Sequence, residues 1–187
     1  MAERVCPWWL GYVLASPLRR AFQNPTRILA PYVHAGMTVV EPGPGMGFFT
    51  LDLARLVGPS GHVVAVDIQS RMLDALRRRA AKAGLAERVT TRLAEPGGLA
   101  LGDLAGQADF VLAFAVVHEL PSAAAFFAEA AASLRPGGAL LLAEPAGHVS
   151  ADAFADELHA AAAAGLAAQQ RPSVRNSHAA LLIKAGG

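Results

Sequence analysis

The chain has 187 residues, of which 53% are hydrophobic, and its 16 basic and 15 acidic side chains leave a formal net charge of +1. This length suits one domain with a sizeable buried core, and the balanced charge lacks the basic surface that nucleic-acid binding needs. Cys6 is the single cysteine, which excludes an intrachain disulfide. The sequence contains no run of about 20 apolar residues and therefore predicts no membrane span. We expect a cytoplasmic protein with no metal site and no integral membrane part.

Residues 1–33 form a separate aromatic segment before the main repeating pattern. Trp8, Trp9 and Tyr12 precede a predicted helix from Pro17, and Asn24-Pro25 is typical of the start of a second short helix. The aromatic side chains suit either a lid over a substrate or a plug that packs the segment against the sheet. If they are exposed, they favour a homodimer.

Residues 34–187 alternate between short apolar runs and helical patterns, which predicts an α/β domain with a mostly parallel sheet covered on both faces. The predicted strands are Thr38–Glu41, His62–Asp67, Val89–Leu93, Ala108–Phe114 and Ala139–Glu144, with a closing pair at 169–174 and 179–184. The predicted helices run over 48–57, 70–83, from Ser122 to the Leu-Arg-Pro-Gly-Gly turn at 134–138, and from Ser150 to about Gly165.

The second of these helices has clear end signals and one apolar stripe. Ser70 is a good N-cap, and Gly84 is suited to the position just after the C-terminal end of this helix. The stripe predicted to be buried consists of Met72, Leu76, Ala80 and Ala83. The basic cluster Arg77–Arg79 on the same helix is interpreted as a solvated face.

The segment after the first strand is rich in glycine and resembles a ligand-binding loop. Glu41 precedes Gly43, Gly45 and Gly47, where a strand ends and a helix begins, the usual nucleotide crevice of an open α/β sheet. A dinucleotide fingerprint requires glycine at position 48, and that residue is Phe. An acidic residue beside the loop also suits an ammonium group better than a diphosphate. The prolines within the loop, including Pro44, stiffen it and remove amide donors.

A second acidic residue ends the next strand. Asp67 lies where a carboxylate accepts the two hydroxyl hydrogens of a ribose, and Ile68 is placed to pack on a base. Together, the glycine loop, this acid and the Leu-Arg-Pro-Gly-Gly turn resemble the class I S-adenosylmethionine-dependent methyltransferases. The resemblance covers about residue 26 to the C-terminus.

The resemblance implies a fold and a cofactor site. The fold is a Rossmann-like, doubly wound, mostly parallel seven-stranded sheet with an antiparallel last strand in an α/β/α arrangement. The cofactor is S-adenosylmethionine, which leaves as S-adenosylhomocysteine after methyl transfer to a small molecule. The residues implied to hold it are Glu41, Gly43, Pro44, Gly45, Gly47, Asp67, Ile68 and Glu95, the last of these near the adenine amino group.

The ends of the fourth and fifth strands supply the candidates for the acceptor site. Phe114 either lines the cofactor or belongs to the core. His118 suits a general base and Glu119 is a second candidate, although the same pair also fits a structural helix start. His148 is a candidate for the substrate pocket or a plain loop residue. The Asn/Asp-Pro-Pro-Tyr sequence of amine-modifying relatives is absent, which argues against nucleic-acid and glutamine substrates.

Other interpretations remain open at this point. A nicotinamide-dependent oxidoreductase requires the glycine that Phe48 replaces and a catalytic set that is not visible. A methyltransferase-like protein without catalysis would keep the fold and serve as a cofactor-binding or partner protein. The single cysteine disfavours an arsenic methyltransferase, since those relatives use several.

Overall fold

The structure, a computed structural model, describes residues 23–95 and 98–186. In chain order its main elements are α1 (Pro25–Leu29), β1 (Thr38–Pro42), α2 (Thr50–Leu56), β2 (His62–Asp67), α3 (Ser70–Lys82), β3 (Val89–Leu93), β4 (Ala108–Phe114), α4 (Ala123–Ser133), β5 (Leu134–Pro145), α5 (Ala151–Ala163), β6 (Leu166–Gln170) and β7 (Ser177–Lys184). The strands form a seven-stranded mixed sheet in the order β3-β2-β1-β4-β5-β7-β6. This order, with β7 antiparallel to β5 and β6, confirms the predicted Rossmann-like α/β fold.

Two compact units divide the chain, Met1–Ala94 and Glu95–Gly187. In the first unit β1, β2 and β3 are parallel, with Val39 opposite Val63 and Val63 opposite Val89. Residues 63–67 of β2 are all buried, as expected for a parallel strand that is covered on both faces. Helix α3 packs against β2 and β3, and α1 packs against α2.

The helix ends of the first unit agree only in part with the sequence signals. The Asn24 side chain accepts a hydrogen bond from the Arg27 amide at 3.3 Å, which confirms the start predicted for α1. Helix α2 begins at Thr50 rather than at Phe48, so that prediction is wrong at its first two residues. The Phe48 and Phe49 rings are buried instead in the preceding turn and meet edge to face at 5.1 Å.

Helix α3 buries a broader stripe than predicted. Met72, Leu76 and Ala80 are buried as expected, and Leu73 and Ala75 join them. Ala83 is exposed, contrary to the prediction, because the helix ends at Lys82 and the chain has already turned away. The predicted N-cap is also wrong. Ser70 is the first helical residue, and the cap position is occupied by Gln69 without a side-chain cap bond.

In the second unit β4 and β5 are parallel and both carry long buried apolar runs. Ser122 and Ser150 cap α4 and α5, each side chain accepting an amide hydrogen bond at 3.1 Å. Strand β5 begins at Leu134, before the predicted Ala139, because Leu134 pairs with Ala108 ahead of a register shift. The closing pair of strands is confirmed, but β6 covers Leu166–Gln170, so the strand predicted over 171–174 is wrong.

No helix in residues 23–95 and 98–186 combines the length and the apolar character needed to cross a membrane.

Candidate functional site

The glycine loop of the first unit forms a tight turn directly after β1. The Gly43 amide donates to the Val66 carbonyl at 2.8 Å, and the Gly47 amide donates to the Pro44 carbonyl at 2.9 Å. Pro44 itself is buried, whereas Gly43 is exposed. This turn leads to the start of α2, so the loop lies at the junction of strand and helix that the sequence predicts.

Two of the loop glycines are required for different reasons. Gly45 has a φ of +53°, and a Cβ built there would meet nothing within 4 Å, so this side of the loop is open to a ligand. Gly47 has a φ of +84°, and a Cβ there would overlap Leu76 Cδ1 of α3. One glycine therefore leaves room for a ligand, and the other lets the loop lie close against α3.

Helix α3 also holds the loop through a polar contact that the sequence did not reveal. The guanidinium of Arg79 donates to the carbonyl of Met46. The Met46 side chain packs in a buried cluster with Met72 and Ala75. The interpretation of Arg77–Arg79 as a solvated face is therefore wrong for Arg79, which is partly buried against the loop.

Glu41 is a buried carboxyl beside this loop. It lies in β1 with 3% of its surface exposed. Its Oε2 and the hydroxyl of Thr50 are both buried without a hydrogen-bond partner among the described residues. Burial raises the pKa of Glu41 from 4.5 to about 8, the nearby Thr50 hydroxyl opposes this rise, and the charge of Asp67 adds to it. An arriving cation would supply the missing partner and favour the ionised carboxylate.

Asp67 ends β2 and organises the backbone around it. Its Oδ1 accepts the Gln69 amide at 2.8 Å, which explains why α3 starts without a side-chain cap of its own. Burial raises the pKa of Asp67, and the amides of Gln69, Gly45 and Ile68 partly oppose this rise. The carboxylate is thus oriented by the same backbone that forms the glycine loop.

An apolar surface lies next to Asp67. The Ile68 side chain is 54% exposed, and Leu93, which pairs with Asp67 across β2 and β3, is exposed to the same extent. Large apolar side chains at this exposure are suited to covering the face of a planar ligand. The sequence indicated Ile68, but nothing in the sequence pattern pointed to Leu93.

In the second unit the predicted adenine contact, Glu95, is exposed and forms a backbone bridge with Gly98. The next part of this loop is fixed by Glu129 of α4, whose carboxylate accepts the amides of Leu99 and Leu101 at 2.7 and 3.0 Å. Between those two amides, Ala100 has a φ of +53°, a strained value for a residue with a Cβ. Glu129 therefore holds the loop that follows Glu95.

A second polar cluster surrounds the end of β5. Glu144 is fully buried, and its Oε1 accepts the amides of Val116 and Val117 at 3.2 and 2.8 Å. Its Oε2 contacts Nδ1 of His118, whose side chain is 21% exposed. The hydrogen bond to Glu144 raises the pKa of His118, burial lowers it, and nearby acidic charges raise it further.

Two more groups belong to this second cluster. Glu157 of α5 is buried, and its Oε2 has no hydrogen-bond partner within the part of the chain that the structure describes. Burial and the charge of Glu144 raise the pKa of Glu157 to about 7, while His118 lowers it. The exposed ring of His148 lies 5.9 Å from that of His118, edge to face. No sequence signal indicated Glu157, because its helix carries no motif.

The remaining predicted site residues are less constrained. Phe114 is half-buried at the end of β4, and Glu119 is exposed next to His118. Trp8, Trp9 and Tyr12 lie outside the described residues. Among residues 23–95 and 98–186, no group of three or more His, Cys, Asp or Glu side chains is arranged to hold a metal ion.

Residues 33–177 match the family described as "Methyltransferase domain". The chain is 36% identical over 109 residues to an arsenite methyltransferase of Halobacterium salinarum, a region that covers 58% of this chain and 27% of that protein. It is 41% identical over 117 residues to a ribosomal protein L11 methyltransferase of Pelotomaculum thermopropionicum, covering 62% of this chain and 34% of that protein. The chain therefore spans between about a quarter and a third of the length of these relatives.

A solved structure is similar over nearly its whole length. The chain superposes on a SAM-dependent methyltransferase from Aquifex aeolicus with a TM-score of 0.84, covering 96% of this chain and 99% of that one at 23% identity. At this identity the likeness establishes the fold, and the match over residues 33–177 establishes the family.

Proposed function

We propose, because the chain belongs to the methyltransferase domain family, that it is an S-adenosylmethionine-dependent methyltransferase that acts on a small-molecule acceptor. The observation that carries the proposal is Glu41. It combines an unpartnered buried carboxyl oxygen, a pKa raised to about 8 and a position beside an open glycine loop. A carboxyl in this state is suited to a ligand that brings its own cationic group.

The residues of the first unit fit the parts of this cofactor. Glu41 receives the ammonium group of the methionine part, and the open side of Gly45 admits its backbone. Asp67 binds the ribose hydroxyls, while Ile68 and Leu93 cover the adenine. The bound cofactor supplies an electrophilic methyl group on a sulfonium, so this chain has only to bind, align and exclude water.

The roles predicted from the sequence for Glu95, near the adenine amino group, and for Phe114, beside the cofactor, remain predictions. Two features support a small acceptor, the balanced net charge of +1 and the absence of Asn/Asp-Pro-Pro-Tyr after β4. The similarity to a ribosomal protein L11 methyltransferase makes a protein acceptor the alternative to be tested beside it. A cytoplasmic location, a homodimer and a substrate lid formed by Trp8, Trp9 and Tyr12 remain predictions.

Calorimetric titration with S-adenosylhomocysteine, and separately with NADH, tests the proposal. We expect micromolar binding of the first ligand and none of the second. Asp67→Ala should abolish binding, whereas Asp74→Ala, which removes an exposed carboxylate from the same region, should leave it unchanged. Absence of S-adenosylhomocysteine binding by the unaltered chain would refute the cofactor assignment.

Turnover is tested separately with methyl-labelled S-adenosylmethionine. A mixture of small phenols, thiols and amines is compared with ribosomal protein L11, and label transfer is counted in each. Transfer to a small molecule supports the proposal, and transfer to L11 alone replaces the small acceptor by a protein. Binding without transfer to either would favour a methyltransferase-like cofactor-binding protein.

A further inference from the structure

The formal net charge of +1 is the sum of two opposite halves of the chain. Residues 1–94, the first unit, carry 12 basic and 6 acidic side chains, whereas residues 95–187 carry 4 basic and 9 acidic ones. The two units therefore have net charges of +6 and −5. A charge asymmetry between the halves of a chain indicates a charged partner, nucleic acid above all. The whole-chain balance, from which we expected no nucleic-acid surface, conceals this asymmetry.

Burial makes the surface of the first unit more basic than its sequence. Glu41, Asp52 and Asp67 are buried, so Asp74 and Glu87 are the acidic side chains exposed among residues 23–94. The nine basic side chains of the same range are all exposed or half-buried. A polyanion is therefore attracted to the surface of this unit.

Helix α3 arranges three of these basic side chains in a line. Arg71, Arg78 and Lys82 are exposed, and we call them the basic stripe. Their separations of seven and four residues place them within about 40° of one another around the helix axis and over about 16 Å along it. Neighbouring members lie within about 10 Å along the axis, which is about one Debye length at 0.1 M salt, so an anionic chain meets their charges together.

The acidic residue beside the basic stripe is already paired. Asp74 is the only acidic residue of α3, and its Oδ1 accepts a hydrogen bond from Arg77 Nη1 at 2.8 Å. Arg77 Nε also donates to the Thr91 hydroxyl of β3 at 2.5 Å, which ties this ion pair to the neighbouring strand. The charge of Asp74 is thus balanced within the unit by an arginine outside the basic stripe.

The composition of this face distinguishes between the possible anionic partners. A protein interface needs large apolar or aromatic anchors, but Met72, Leu73 and Leu76 are buried and α3 contains no aromatic residue. Single-stranded nucleic acid is held by stacking its bases on aromatic rings, which this helix lacks. A duplex instead presents phosphates with its bases already paired, and arginine binds phosphate through two parallel hydrogen bonds. The basic stripe therefore fits the phosphates of a duplex best.

We propose that the basic stripe of α3 is a docking surface for double-stranded nucleic acid, which it binds through the phosphate backbone. This inference goes beyond the proposed function and does not depend on it, since Arg71, Arg78 and Lys82 belong to none of the groups assigned to the cofactor. Contacts to phosphates position a partner without selecting a base sequence. The duplex is thus a partner, and the methyl acceptor stays a small molecule because Asn/Asp-Pro-Pro-Tyr is absent.

The first test measures binding of fluorescent duplexes by anisotropy. RNA and DNA duplexes of one mixed sequence are titrated with the full chain at several salt concentrations. We expect micromolar dissociation constants at about 50 mM salt, and a slope of about −3 for the logarithm of the association constant against that of the salt concentration, since three phosphates are contacted. Comparison of the two duplexes shows which one is preferred. No binding to either, or tighter binding of a single strand or of polyglutamate, would overturn the proposal.

The second test assigns the binding to the basic stripe. Arg78→Gln should weaken duplex binding about threefold and reduce the size of the salt slope by about 1, and the triple replacement of Arg71, Arg78 and Lys82 by Gln should remove most of the slope. Arg78→Lys keeps the charge and should keep the slope. Arg175→Gln removes the same charge from an exposed position in the second unit and is the matched control.

Urea unfolding midpoints equal to that of the unaltered chain verify that the variants are folded, as expected for substitutions at exposed positions. Equal weakening by Arg175→Gln and Arg78→Gln would show that net charge alone matters, and this would overturn the basic stripe. An unchanged salt slope in the triple variant would overturn it too. Failure of S-adenosylhomocysteine to bind would refute the proposed function and leave these results standing.

Discussion

The raised pKa of Glu41 predicts that cofactor binding releases a proton. With the pKa raised to about 8, roughly nine-tenths of the Glu41 carboxyls are protonated at pH 7 and half at pH 8. The ammonium group of a bound ligand favours the carboxylate, so binding must expel that proton. We expect a release of about 0.9 proton at pH 7, about 0.5 at pH 8 and little at pH 9, and an affinity that increases as pH rises towards 8.

Titration calorimetry measures this release directly. The observed enthalpy of S-adenosylhomocysteine binding in buffers of different ionisation enthalpy, such as phosphate and Tris, has a slope equal to the number of protons exchanged. Glu41→Gln has nearly the same shape but cannot ionise, so its slope at pH 7 should fall towards zero. Its loss of affinity should be small at pH 6 and about 10- to 100-fold at pH 9. Equal slopes for the two proteins at pH 7 would refute the role given to Glu41.

The same group makes a prediction for the ligand-free protein. A folded-state pKa raised above the ordinary 4.5 gives a contribution to stability that is present below pH 4.5 and is lost as pH rises through about 8. Between pH 5 and pH 8 this loss amounts to about 4 kcal/mol at most, from about 1.4 kcal/mol per pKa unit. Urea unfolding of Glu41→Gln should lack this loss. Parallel pH profiles of the two proteins would contradict it.

Three further substitutions test the supports of the site. Gly47→Ala forces a Cβ against α3 at a positive φ and should lower the free energy of unfolding by about 1–3 kcal/mol in urea, whereas Gly102→Ala, in open space, should not. Arg79→Ala releases the glycine loop and should weaken S-adenosylhomocysteine binding about 10-fold by calorimetry. Arg78→Ala, at an exposed position, is the control. Equal affinities of Arg79→Ala and the unaltered chain would exclude the contact. Glu129→Gln should speed hydrogen exchange of the two amides that it holds, and unchanged protection would show that they are held by other means.

The sequence predicted the fold and the first unit well because their signals are local. The glycine loop, Asp67 and the apolar strands each occupy a short stretch in which residue type and spacing determine the local structure. The errors in the predicted helices and strands lie at their ends. Ser70 has the residue type of a cap, but the carboxylate of Asp67 already holds the Gln69 amide. Tertiary contacts determine where such a helix begins or ends, and a local sequence pattern carries no information about those contacts.

The residues that hold the glycine loop and His118 in place could not be predicted from the sequence, and the reason is the same for both. Arg79 meets Met46 across 33 positions of the chain, and Glu144 meets His118 across 26. Arg79 looks like any arginine in a basic run, and Glu157 like any acidic residue on an alanine-rich helix. Only the packing of a helix against a loop or a strand end gives such a residue its role.

Two strands end in the same dipeptide, and the comparison shows why environment rather than motif assigns function. Glu41-Pro42 ends β1, and Glu144-Pro145 ends β5; both glutamates are buried. Glu144 is fully buried and has two amides and an imidazole on its oxygens, so both oxygens have partners and the carboxylate holds His118 in place. Glu41 keeps an oxygen without a partner among the described residues and a carboxyl that is mostly protonated at neutral pH. Glutamine at 41 should therefore change how cofactor binding depends on pH, while glutamine at 144 should leave that dependence intact.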